Sequence, residues 1–257
     1  METNLSRSLL WKRLWRESTD VLAARGNRVR MMLAILILAA AALPELLFLQ
    51  IFGVIAAGTS PDASDAILVL QMLGYVVLSV AYLIGVLIPL LYGLLRLAER
   101  MEAEEETVLS DLFCAFGGAE HFRRALVCGW YLAAPPAILI AAAETMVDRL
   151  TGLAGGNAWG VVPAALAAVL ADLLLLILLL GWFAAPYTVL RREPGKRVRM
   201  RAARRVGAWY WLRFLPHLIL SVLTLLICFV ADILPRMLII YFRLCREVLI
   251  IPEERLS

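Results

Sequence analysis

Five stretches of this chain are apolar at almost every position: Met31 to Ile55, Ala66 to Leu95, Ala125 to Met146, Val161 to Leu190 and Leu212 to Ala231. The hydrocarbon core of a bilayer takes about 20 residues of α-helix. Each stretch is long enough to cross it. Backbone amides in hydrocarbon must bond within their own segment, so the stretches are predicted to be helices. None shows the two-residue alternation of a barrel strand. The expected fold class is all-α, a polytopic transmembrane helix bundle. A shorter apolar piece, Met237 to Ile251, carries Arg243 and Arg246 and could be a short sixth span.

The polar positions orient the bundle. Arg7, Lys12, Arg13, Arg16, Arg25, Arg28 and Arg30 precede the first stretch. Arg96, Arg100, Arg123 and Arg124 lie between the second and third. Arg191, Arg192, Lys196, Arg197, Arg199, Arg201, Arg204, Arg205 and Arg213 separate the fourth from the fifth. The opposite connections, 58–65 and 147–160, hold Arg149 alone. The positive-inside rule then places the N-terminus in the cytoplasm.

The basic segments are patterned. Leu10, Leu14, Trp15, Ser18 and Leu22 fall near one helical face. Leu109, Leu112, Phe113 and Phe116 form a stripe at i, i+3, i+4, i+7, and Val198, Ala202 and Val206 form a weaker one. These are expected to be amphipathic helices in the membrane interface, arginines toward phosphate. The alternative is that they pack on the bundle as ordinary cytoplasmic helices. The candidate phosphate contacts are Arg13, Arg16, Arg28, Arg30, Arg123, Arg124, Arg199, Arg204, Arg205 and Arg213.

Gly26, Gly117 and Gly207 follow the three stripes, spaced 91 and 90 residues apart. Glycine ends helices because it accepts the left-handed conformation. The spacing suggests a three-fold repeat within one membrane domain, 1–257, with units near 1–95, 96–190 and 191–257. Each would consist of an interfacial helix, a glycine break, an outgoing span and a returning span.

Three stretches carry a family resemblance: Ala23-Ala24-Arg25-Gly26-Asn27, Leu109-Ser110-Asp111-Leu112-Phe113-Cys114-Ala115-Phe116, and Arg204 to Phe214. Through them the chain resembles a bacterial membrane family, domain of unknown function 975. The family tends to have Lys-Gly-Asn where Val206-Gly207-Ala208 stands, and a Ser-Phe-Ile-Gly-Trp-like run near Pro216 and His217. The resemblance implies a multi-span protein of the bacterial inner membrane and no known activity.

Composition agrees with a membrane medium. The 257 residues are 62% hydrophobic and have a mean hydropathy of +0.83. A soluble chain is nearer half apolar. The net charge of +4 points to anionic headgroups as the partner, since no folded basic domain suited to nucleic acid is evident. The cysteines Cys114, Cys128, Cys228 and Cys245 make no C-x-x-C pair, and with His121 and His217 they make no zinc pattern. No metal, cofactor or cleavable signal peptide is expected.

Charged groups inside a span are functional candidates by default. They are Asp172, Glu45, Glu144 and His217, with Arg243 in the proposed sixth span. Asp172 falls near the midplane of the fourth span. It could be a carrier's ion site or could pair with Arg243. Prolines punctuate most spans. No nucleotide-, zinc- or nucleophile-binding motif is present. The expected function is therefore non-enzymatic: organising or sensing the bilayer, or anchoring partners. The alternative is a small permease using an intramembrane carboxylate.

Overall fold

In the computed structural model the residues described are 7–58, 65–153, 166, 183–191, 200–223 and 229–249. Among them every element is helical. The chain divides into two compact units, Met1–Leu126 with Leu226–Ile239, and Val127–Leu225 with Ile240–Ser257.

In the first unit α1 (Arg7–Ala23) ends in a 3-10 turn, Ala24–Gly26, and α2 follows from Asn27 to Gly58. Gly26 adopts φ +73°, with open space where a Cβ would stand. The glycine is needed for its conformation and not for room. Asn27 secures the turn, its Nδ2 donating to the Val21 carbonyl at 2.9 Å. That carbonyl belongs to the last turn of α1, where helical partners run out.

Next come α3 (Asp65–Tyr82), a π-turn at Leu83–Leu87, and α4 (Ile88–Glu102). Pro89 explains the π-turn. It has no N–H for the carbonyl four residues back, and an i→i+5 turn absorbs the mismatch without ending the helix. Pro44 likewise sits inside an unbroken α2.

Among the described residues two helices are long and apolar enough to cross a membrane: Asn27–Phe52 and Val69–Glu102, with mean hydropathies of 2.5 and 2.3. The core helix of a soluble domain would be mostly buried. Here 12% and 11% of the apolar windows are buried. Leu36, Leu43, Leu47, Leu70, Leu73 and Val77 all stand outward.

Among the described residues five clear spans are not shown. The third expected span lies within α5 (Ala119–Leu153). The fourth falls largely outside the described residues. The fifth begins inside α7 (Met200–Leu223), which α6 (Ala185–Arg191) precedes in the described chain. The expected sixth span overlaps α8 (Leu234–Leu244), a helix of 11 residues between π-turns at Phe229–Ile233 and Cys245–Leu249. Met237, Ile239, Ile240, Phe242 and Leu244 are buried in protein.

The three-fold repeat fails at Gly207. The basic segment and the start of the fifth stretch form one continuous α7, and Gly207 lies inside it. A Cβ there would meet the Phe183 ring at 3.2 Å, so this glycine serves packing and not helix termination. The second segment also differs, being a 3-10 helix, Leu109–Gly117.

The apolar face of the first segment is covered by protein. Leu14, Ser18, Val21 and Leu22 are buried in the first unit, where α1 packs on α2 and α4. The alternative, packing on neighbouring helices, describes α1 better. In the second unit Ala203, Gly207, Tyr210 and Phe214 share a buried face of α7, with Phe183, Tyr241 and Phe242 among the rings around them. Tyr187 and Tyr210 are core residues. Trp211 points outward.

Candidate functional site

Polar side chains in the first unit gather where α1, α2, α4 and the Phe229–Ile233 turn meet. Asp232 is the hub. Its carboxylate accepts from Arg236 Nε at 2.8 Å and Nη2 at 2.9 Å, the bidentate geometry that suits guanidinium best. Arg28 also donates to Asp232, and to the Ala231 carbonyl at 3.4 Å. Arg236 is 8% exposed. Its guanidinium stands 4.8 Å from the centre of the Trp15 ring and donates to Thr19 Oγ1. One buried cation thus joins the C-terminal helix to α1.

A second group lies beside the α1–α2 turn. Arg30 Nη1 donates to Asn27 Oδ1 at 3.4 Å and to Thr107 Oγ1 at 3.3 Å, and Thr107 Oγ1 donates to the same Asn27 oxygen. Asn27 and Thr107 are both buried. A third group holds the 3-10 helix. Arg100 bridges Asp111 at 2.7 Å and Glu105 at 3.0 Å, while Asp111 Oδ2 accepts the Val108 amide. Arg96 pairs with the buried Glu99 at 2.6 Å. Burial pushes the nearby Cys114 thiol up, with Arg96 opposing and Asp111 adding. It is therefore not an activated thiolate.

The expected phosphate contacts divide. Arg13 pairs with Glu17, Arg28 with Asp232 and Arg124 with Glu120. Arg30 is half-buried on neutral acceptors. Arg16, Arg123 and Arg205 are exposed, and Arg213 is half-buried. Arg204 is half-buried as well, and among the described residues nothing accepts from its Nε. Arg199 lies outside the described residues.

The intramembrane candidates are not brought into one site. Asp172 lies outside the described residues, and Glu144 is placed only by its backbone in α5. His217 Nδ1 stands 3.3 Å from the Arg213 carbonyl, one turn back on α7. Arg243 is half-buried on α8. Glu45 is the informative one. It lies on the face of α2 that meets α3, where Tyr82 donates to the Ala41 carbonyl at 2.8 Å and Phe52 stacks on Tyr75 at 4.9 Å. Glu45 Oε2 is buried and has no hydrogen-bond partner among the described residues, as is true of Ser79 Oγ on the facing stripe.

The sequence reading missed Asp232 and Arg236 as a site, and Asn27, Thr107 and Asp111 as anchors. The spacing of Asp232 and Arg236, i and i+4 on one helix, was a usable signal. Among the described residues no group of three or more His, Cys, Asp or Glu could hold a metal. In comparisons of the chain with family models, curated proteins and solved structures, nothing matches.

Proposed function

We propose that this chain is a multi-pass protein of the bacterial inner membrane with its N-terminus in the cytoplasm. It crosses at the five apolar stretches and organises the bilayer or anchors partner proteins without catalysing a reaction. The resemblance to domain of unknown function 975 is part of this proposal. The observation that carries it is the outward apolar surface of Asn27–Phe52 and Val69–Glu102. In water such a surface would far exceed the patches that monomers tolerate. In lipid it is ordinary solvation. The basic segments on one side of the stretches supply the orientation. The test is the solvent requirement and topology. The protein should need detergent to stay monodisperse, and cysteines at Ser60 and Asn157 should label from the outer side. A monodisperse chain without detergent would overturn the reading.

One observation favours the permease alternative: the unpartnered Glu45 carboxylate oxygen in the α2–α3 seam, one residue after Pro44. Buried polar atoms facing each other between apolar helices mark ion paths in many membrane bundles. Proteoliposomes carrying a trapped pH dye test it. Proton leak abolished in Glu45→Gln and Asp172→Asn favours a carrier; no leak above empty vesicles in the wild type removes it.

A further inference from the structure

The 3-10 helix Leu109–Gly117 divides its apolar residues in a way an α-helix would not. With three residues per turn, 109, 112 and 115 share one face, and 110, 113 and 116 share another. Leu112 and Ala115 are fully buried. Phe113 and Phe116 are 46% and 49% exposed, their rings 6.5 Å apart. Two neighbouring phenyl rings thus keep about half of their surface outward.

The depth of this segment follows from α2 and the α3–α4 rod. Tyr82 bonds to Ala41, and α2 and α4 are in contact. The same eleven residues separate Tyr82 from Gly93 and Ala41 from Arg30. In antiparallel helices with equal rise, Gly93 is then level with Arg30 to within about a turn. Arg30 is the last charge before the apolar stretch of α2. The Leu112 backbone lies directly on Gly93, where a Cβ would be 1.8 Å from its carbonyl oxygen. Thr107, two residues before the segment, is bonded by Arg30 itself. The approach to the segment and its middle therefore sit at the level of Arg30. The segment runs across the edge of the apolar band, and Arg123, exposed in the helix that follows, adds a cation.

We infer that the Leu109–Gly117 segment is a membrane-interface anchor, with Phe113 and Phe116 inserted between lipid headgroups and acyl chains. This rests on the reading of the chain as a membrane protein. It names the middle amphipathic segment, and not α1, as a lipid-contacting element. Its ligand is the bilayer boundary, an apolar layer beneath anionic phosphate.

Hydroxyl-radical footprinting of the whole protein in lipid-only nanodiscs of phosphatidylglycerol and phosphatidylcholine tests it without altering either ring. Met72, exposed on α3, is the lipid reference. An E106F variant supplies a water-facing ring in the preceding loop. Each rate is divided by that of the same residue in the unfolded chain. Phe113 and Phe116 should be protected as strongly as Met72, with rates several-fold below that of the ring at 106. If Met72 is protected while Phe113 and Phe116 oxidise like the ring at 106, the anchor is wrong, and the face is open to a soluble partner. If Met72 itself oxidises freely, the membrane reading fails and the anchor with it.

Discussion

Arg236 lies over the ring of Trp15 at 4.8 Å, so a cation near the C-terminus is held by an aromatic of the first helix. The pairing works because Asp232 neutralises the same guanidinium from one turn back. Neither helix alone could bury this charge.

Asp232→Ala should therefore destabilise strongly, by about 3–5 kcal/mol, the usual effect of leaving a buried partner charged and alone. Arg28→Ala removes a pair that is half in solvent and should change stability by about 1 kcal/mol or less. Thermal unfolding in one detergent compares the two variants. Equal losses would show that Arg236 is not the buried member.

Gly93→Ala should displace the 3-10 helix. The atom its Cβ would meet is the Leu112 backbone, which cannot rotate away. The expected loss is about 1–3 kcal/mol or more. Gly74→Ala, on an outward face with open space, should be neutral or stabilising by up to about 1 kcal/mol. Hydrogen exchange across 107–117 locates the effect. Gly93→Ala should speed it there and Gly74→Ala should not.

Gly26→Ala places a side chain in the left-handed conformation and should cost about 1–2 kcal/mol. Gly26→Asn should recover part of that, because asparagine tolerates φ above zero. Melting curves of the two variants give the order directly.

Cys114 should alkylate slowly at pH 8. Its folded-state acidity is weakened by burial, so the thiolate appears at a higher pH than in the unfolded chain. The sign for stability follows. The folded state holds this proton more tightly, so its contribution is complete below the unfolded thiol's range and is lost as pH rises through the folded value. Site-resolved mass spectrometry after iodoacetamide treatment over a pH series checks this. A Cys114 rate at pH 8 equal to that of the unfolded chain would count against the placement of the 3-10 helix.

Much of the architecture was legible in the order of residues. The stretch Met31 to Ile55 lies within α2, and Ala66 to Leu95 lies within the α3–α4 rod. Gly26 marks a true break. Unbroken apolar length dictates a helix wherever backbone groups must bond within their own segment, so a one-dimensional pattern suffices. The conformation of Gly26 is likewise local.

What the pattern could not decide was which apolar surface meets protein and which faces outward. Leu14 and Phe113 have similar hydropathy, yet one is covered by protein and the other faces outward. Gly26 and Gly207 are the same residue, yet one turns the chain and the other admits the Phe183 ring. The fate of Arg28 depended on Asp232, far along the chain. Hydropathy measures the free energy of leaving water, and lipid and protein interior are nearly equivalent destinations. Choosing between them takes shape and neighbours, which exist only once the helices have packed.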